Sequence, residues 1–401
     1  MGTIAATLST ADCAGMTWDA LVIGAGPAGA YTAIVLARAG VKTLLVERRA
    51  FSRRKVCGGC LNVAAVAMLD RLGLVETVCA AGAERLCAVQ LRCGGRAARI
   101  ALPGGLALSR EMLDATLVRE AIASGCAFLP ETAAQVRPTG AHDPASPESP
   151  RHVMLVPRLG VSQVTRALLV VAADGLSHPS LDACPEFRGI VSPCARIGVG
   201  GLTRREAVEC PDGTITMAVG RGGYVGLVGV EHGQLNIAAA FDPGFLRERR
   251  SPSVAIREIL VSARVPVRGP LDAVDFQGTP PLTQQSRTVA GHRVVLVGDA
   301  AGYVEPFTGE GMAWAFAAAA RLPPIALRAR QAWTAALEQE WSAAHAAIVG
   351  RKQRWCRALA AVIRIPALVG PLVAGLGIFP RAARPFFAHI ERPIGPTGVL
   401  R

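Results

Sequence analysis

The sequence predicts an α/β protein in three parts: a nucleotide-binding half assembled from separated segments, an inserted antiparallel sheet, and a helical C-terminal region. Three observations lead there. An apolar strand, a glycine-spaced turn and a helix follow one another in Asp19-Ala-Leu-Val-Ile-Gly24-Ala-Gly26-Pro-Ala-Gly29-Ala. Short β-like runs separated by glycine recur from Thr214 to Phe241 at about ten-residue spacing. Beyond residue 330 the period turns helical, with Trp333, Leu337, Trp341, Ala344 and Ile348 on one face.

The first motif carries its own chemistry. Gly24 permits a tight strand-to-helix turn, Gly26 lets backbone approach a pyrophosphate, and Gly29 lets the helix lie close to the sheet. The helix N-terminus then faces the phosphate charge. A second apolar strand, Val41-Lys-Thr-Leu-Leu-Val-Glu47, ends in an acid 23 residues after Gly24, where a carboxylate can accept hydrogen bonds from an adenosine ribose. An acid there disfavours a 2′-phosphate, so the site suits FAD or NAD rather than NADP.

Two later strands end in acids. Val170-Val-Ala-Ala-Asp174-Gly175 closes on Asp-Gly, and Arg293-Val-Val-Leu-Val-Gly-Asp299-Ala-Ala-Gly302 closes on Gly-Asp. A carboxylate at a strand end can hold a sugar or ribityl hydroxyl. The glycine-rich turn that follows, through Gly302, Pro306, Gly309, Gly311 and Met312, aims free N–H groups and a positive helix end at an anion. In this order the motifs resemble those of the single-component FAD-dependent oxidoreductases that span aromatic hydroxylases (FAD-dependent monooxygenases) and geranylgeranyl reductases. Phe51-Ser-Arg-Arg-Lys55-Val-Cys57-Gly58-Gly59 resembles the Lys-x-Cys-Gly stretch of the geranylgeranyl-reductase branch. The resemblance covers residues 17–320 and implies a discontinuous Rossmann-like FAD-binding domain with an inserted antiparallel-sheet substrate domain.

On that basis the FAD-binding domain is expected from residues 17–80, 107–182 and 285–330. The substrate domain is expected from 81–106 and 183–284, and the C-terminal helical region from 331–401. Leu108-Ser-Arg110-Glu-Met-Leu-Asp114 opens an amphipathic helix with Met112, Leu113, Leu117 and Val118 at helical spacing. In the family an arginine at that helix start reaches the cofactor phosphates, which makes Arg110 a candidate; a surface helix arginine is the plain alternative. Residues 138–151 form a Pro- and Ser-rich loop expected to join two strands, with mobility at its tip. In the inserted sheet Tyr224, Val228, Ile237 and Phe241 are candidates to line a substrate cavity, against ordinary sheet core.

Composition narrows the function classes. The formal charge is +13, but only Lys42, Lys55 and Lys352 are lysines and no basic run carries interleaved aromatics, so no nucleic-acid partner is expected. The eleven cysteines mostly sit singly in apolar settings, as do Cys79, Cys126 and Cys356, and are expected as buried free thiols of a cytoplasmic protein. Cys57-Gly-Gly-Cys60 is the exception and allows a redox pair; no second such pair or histidine completes a metal site. Residues 358–380 are apolar enough to span a bilayer, but Arg364, Pro366 and Pro371 interrupt them. Packing on the protein, or peripheral contact of residues 364–380 with the inner face of the membrane, is expected instead.

A single dinucleotide motif leaves no separate nicotinamide-binding domain. The resemblance therefore implies tightly held FAD, with NADH or NADPH as a transient donor and a hydrophobic small-molecule substrate. Gly309, Gly311 and Met312 are expected at the flavin pyrimidine edge, Pro306 beside the ring, and Cys57 as a thiol near the flavin. Three activities remain open. Hydroxylation of an aromatic or polyketide-like molecule is favoured by analogy, since hydroxylases are the more numerous users of this layout. Reduction of C=C bonds in a prenyl or lipid chain is favoured by the Lys55-x-Cys57-Gly segment. A non-catalytic flavin-binding redox sensor rests on Cys57 and Cys60 alone. The Trp-x-Trp-x-Ile-Pro signature of flavin-dependent halogenases is absent.

Overall fold

The structure, a computed structural model, describes residues 3–139, 146, 148–305 and 309–385. Its centre is a six-stranded sheet of Ala20–Ile23 (β1), Thr43–Val46 (β2), Ala127–Leu129 (β3), Val170–Ala172 (β4), Ala290–Gly291 (β5) and Val294–Leu296 (β6). The order is β5-β6-β4-β1-β2-β3, parallel throughout except for β5 against β6. Every residue of β1, β2, β4 and β6 is buried. Unbroken burial, rather than alternation, is what a strand covered on both faces requires.

One cover is helical: Pro27–Arg38 (α1), Arg110–Ala123 (α2) and Gly311–Ala319 (α3) bury Ile34, Leu117 and Phe316 against Val22 and Val295. Tyr31 of α1 stacks on Phe316 of α3 with ring centroids 4.6 Å apart. The α2 helix starts where its periodicity predicts, with the Ser109 side chain accepting from the Met112 N–H at 3.2 Å. The other cover is a small sheet in which Thr132–Val136 pairs antiparallel with Arg151–Pro157. The Pro- and Ser-rich loop thus joins two strands, while residues 140–145 and 147 at its tip lie outside the described residues.

A second large sheet, seven-stranded among the described residues, runs 277–281, 197–204, 234–241, 223–230, 214–220, 88–93, 96–101. Its strands pair antiparallel as the spacing predicts, with one exception: Thr214–Gly220 and Ala88–Cys93 are parallel. The exception arises because these neighbours come from different passes of the chain. A parallel pair needs a crossover, and here β3 and β4 of the central sheet lie within it.

Pairing register corrects two candidate lining residues. Ile237 sits opposite Leu227 and Phe241 opposite Gly223, so both face the helix Pro252–Ser262 and pack with Ile256 and Ile259. Tyr224 and Val228 point to the other side. With a side-chain period of two, the expected set of four mixed residues from both faces.

The helical tail starts later than expected, at Ala335, so Trp333 precedes the helix; Trp333, Leu337, Trp341 and Ile348 are buried, while Ala344 is only half-buried. It is not one helix: Ala335–His345 passes through a π turn at Ala346–Gly350 into Arg351–Ile363 (α4). A corner at Arg364-Ile365 then leads into Pro366–Ile378 (α5), the two arms being bent by 104°. No single helix among the described residues is long and apolar enough to cross a membrane. The inner side of this corner packs Ile363, Val369 and Val373 on Val89, Ile100, Met217 and Tyr224 of the seven-stranded sheet. Not every thiol is buried as expected: Cys79 is exposed, because Val78 takes the inward side of the short helix Val75–Ala80.

Candidate active site

The glycine turn folds as its spacing requires. Gly24 has φ +98°, and a Cβ there would lie 2.6 Å from the Ala173 carbonyl oxygen at the end of β4. At Gly29 a Cβ would lie 1.8 Å from the Gly24 carbonyl oxygen, so α1 can sit this close to the turn only without a side chain. The α1 N-cap is Gly26, with Pro27 following and no side chain capping the first turn. Free N–H groups therefore point out of the helix end, which is the arrangement that receives phosphate.

Beside that helix end runs a chain of charges. Arg110 donates to Asp114 through Nε at 2.8 Å and Nη2 at 2.9 Å. Asp114 also accepts from Arg53 at 2.8 Å, and Arg53 in turn donates to Glu47 at 2.7 Å. Glu47 accepts further from the Ala25 and Arg49 N–H groups, each at 3.1 Å. Burial pushes the Asp114 and Glu47 carboxyls up, but the guanidiniums outweigh it and hold both below the usual carboxylate range. The Arg110 Nη2 would be 3.3 Å from a Cβ on Gly26, so a cation and the bare helix end face the same space. Arg110 is thus a largely buried arginine on the cavity wall rather than a surface one.

The remaining acids stand at the other end. Asp174 accepts from the Ser180 N–H at 2.9 Å through one oxygen, while its other oxygen is buried with no hydrogen-bond partner among the described residues. Asp299 lies in the turn Gly298–Ala301 after β6. Burial raises both carboxyls, with Lys55 partly offsetting the rise at Asp299. Lys55 lines the cavity with an exposed side chain. Desolvation, then the Arg110 and Arg53 charges, hold its ammonium below the usual lysine range, against the pull of Asp299.

These groups share one cavity of about 850 Å³. Gly24, Gly26, Glu47, Cys57, Arg110, Asp174, Asp299, Gly309, Gly311 and Met312 all line it. Gly29 serves it from behind by packing on Gly24. Gly302 is not on the wall; it has φ +126° and pairs through its strand with Gln285. Pro306 lies outside the described residues. Cys57 and Cys60 are both free thiols. Cys60 is turned onto the Gly58 carbonyl at 3.3 Å, and burial pushes its thiol well up, away from the thiolate a redox pair uses.

The donor set fits an FAD molecule: a bare helix end and Arg110 for the diphosphate, Glu47 at the adenosine side, an unpartnered Asp174 oxygen and Asp299 for hydroxyls, and the N-terminus of α3 for the flavin. Past Asp299 the wall turns apolar, with Val89, Leu91, Ile100, Met217, Val219 and Val228 from the sheet. A test of the polar end follows. A hydrogen bond to a charged group contributes about 1.5–3 kcal/mol, so Asp299→Ala is expected to weaken FAD binding roughly ten- to a hundredfold. Fluorescence titration of the apoprotein with FAD measures it, and unchanged affinity in a folded variant would take Asp299 out of the site.

Sequence reading missed Arg53 and Asp114, whose pairing joins Glu47 to Arg110, and Tyr303, which lines the cavity beside Asp299. The signal for Asp114 was present: an acid on an otherwise apolar helix face, four residues after Arg110.

Comparison with known proteins agrees with this geometry. A family model described as FAD binding domain matches residues 17–324. A menaquinone reductase of Mycobacterium tuberculosis is 28% identical over 320 residues, 73% of this chain and 72% of that protein. Digeranylgeranylglycerophospholipid reductase 2 of Methanopyrus kandleri is 27% identical over 312 residues, 74% of each. Among solved structures, p-nitrophenol 4-monooxygenase of Pseudomonas putida superposes with a TM-score of 0.73 at 16% identity, covering 96% of this chain and all of that one (100%). A flavin-dependent brominase gives 0.74 at 16%, covering 96% of each. At such identities the structural likeness speaks for the fold.

Proposed function

The chain belongs to the FAD-binding domain family and is an FAD-dependent oxidoreductase; from that premise we propose that it reduces C=C bonds in a prenyl or other lipid chain. The observation that carries this reading is the apolar half of the cavity. Its sheet wall is mostly aliphatic and thioether, with Val89, Leu91, Ile100, Met217, Val219 and Val228 around the one aromatic Tyr224, which suits a long hydrocarbon. The Lys55-x-Cys57-Gly segment and the two reductases matched in sequence support the same choice. Analogy of layout alone favours hydroxylation, and oxygen insertion is the competing outcome of the test below.

When bound, FAD supplies the hydride, drawn in turn from NADH or NADPH. The protein's part is placement and electrostatics. The α1 N-terminus and Arg110 would hold the diphosphate, Asp299 and Asp174 would orient hydroxyls, and the Gly311 and Met312 N–H groups would favour negative charge at the flavin edge. Aliphatic walls exclude water from the reacting chain, and Cys57 presents a thiol to the cavity as a positioning or proton-donating group. The reading places the protein in the cytoplasm, peripheral to the membrane through residues 364–380.

The decisive experiment is anaerobic. Dithionite-reduced holoenzyme is expected to be reoxidised under argon by a polyprenyl substrate, giving a product two mass units heavier, and Cys57→Ser is expected to slow that step strongly. A product carrying one atom from labelled O2, formed only with oxygen present, would sink the reductase reading.

A further inference from the structure

The α4–α5 corner has two apolar sides. Its inner side, through Leu359, Ile363, Val369, Val373 and Leu376, is part of the wall of the cavity that also holds Asp299 and Gly311. Its outer side exposes Trp355, Ile365, Leu368, Ile378 and Phe379, with Leu368 52% and Phe379 68% exposed. Leu372 belongs to both, lining the cavity while 48% exposed. A helix that is hydrophobic all round is normally buried all round. This one lies at the surface with half its circumference uncovered.

Charge says what covers it. Residues 351–385 contain no Asp or Glu, and Arg354, Arg357, Arg381 and Arg384 are exposed along this segment. Apolar side chains flanked by arginines match an anionic bilayer surface, where the apolar residues enter the acyl region and the cations meet the headgroups. The corner itself is fastened to the body. Arg364 donates to Asp242 at 2.8 Å and to the Cys194 carbonyl, and Asp242 is held by buried Arg196, which also bonds Glu305 at 3.1 Å. The corner between the two arms is thus fixed to the body at Arg364.

We propose that the α4–α5 corner is a lateral entrance seated in an anionic phospholipid leaflet, through which an apolar chain passes from the bilayer directly into the cavity beside the flavin. This rests on the proposed reduction of a lipid chain but assigns what that reading leaves open, namely the route of entry and the surface that forms it. Water-filled transfer of a long hydrocarbon is avoided, because the outer residues, Leu372 and the inner residues form one continuous apolar path.

The test reads contact rather than turnover. Full-length holoprotein is mixed with equimolar phosphatidylglycerol and phosphatidylcholine vesicles that carry an alkyl diazirine chain. After photolysis the labelled residues are mapped by mass spectrometry. The expected map includes Leu368 and Phe379 outside and Val369, Val373 and Ile363 inside. The double variant Leu368→Glu, Phe379→Glu is expected to lose vesicle affinity roughly a hundredfold while keeping its FAD absorbance. Labels confined to the outer residues would overturn the entrance, and equal binding to pure phosphatidylcholine would overturn the anionic surface. A dimer in light scattering that the double variant disperses would assign the face to a second copy instead. If the variant fails to fold, the wild-type map decides alone. Failure of C=C reduction with the full inside-and-outside map would leave the entrance standing and remove only the substrate reading.

Discussion

Gly29→Ala is expected to abolish FAD retention and to cost at least about 3 kcal/mol of stability, the upper end of overpacking effects. Most overpacked sites relieve themselves by rotating a side chain. Here the obstacle is the Gly24 carbonyl oxygen, 1.8 Å from the added Cβ, and the Ala173 methyl lies 3.3 Å away on the other side. Relief requires α1 to move off β1 and β4, which displaces the helix end proposed to receive the diphosphate. Gly24 cannot yield, since its φ of +98° and its contact with Ala173 fix the turn. Flavin content after purification and a thermal melt measure both effects. A yellow variant melting with the wild type would show that the turn has another path.

Asp114→Ala is expected to cost about 3–5 kcal/mol, the range for removing one partner of a buried charge pair. Asp114 is 1% exposed and is the shared anion of Arg53 and Arg110, whose side chains are each 9% exposed. Without it two guanidiniums face each other in a low-dielectric interior, and the Glu47–Arg53 contact alone cannot balance them. The loss is expected to be larger without FAD, because a diphosphate beside Arg110 would replace part of the missing negative charge. Urea unfolding of holo and apo forms checks this. The pH dependence has a definite sign. A carboxyl held below its unfolded value contributes fully above that value and loses its contribution as pH falls through the folded one. The gap between wild type and variant should therefore stay constant from neutral pH to about 4 and close only below it. A gap that opens on acidification would contradict the pairing.

How far the sequence spoke for itself depends on the range of the interaction. The turn from β1 to α1 was legible because each glycine answers a contact within a few residues or at the adjacent strand end. Asp174 and Asp299 were legible for the same reason, each ending an apolar strand. The Arg53–Asp114 pairing was not, since it joins a loop to a helix 61 residues away and depends on their docking. Ile237 and Phe241 looked like cavity residues because hydrophobicity marks a strand as buried without saying on which side. Only the pairing with Leu227 and Gly223 decides that. The tail looked like one apolar stretch whose prolines stop it, whereas the structure turns it at Arg364 and gives its two sides different surroundings.

The single parallel pair in the seven-stranded sheet also constrains the order in which the chain can be put together. The hairpin Ala88–Ala101 leaves synthesis early, but the strand that completes its edge, Thr214–Gly220, follows only after β3 and β4 have been made. Contacts this distant in sequence form late because loop closure must come first. The seven-stranded sheet is thus not a separable module that could be excised, grafted or exchanged as one continuous piece. Its seam passes through the nucleotide-binding half, so the two halves are inherited, and must be engineered, together.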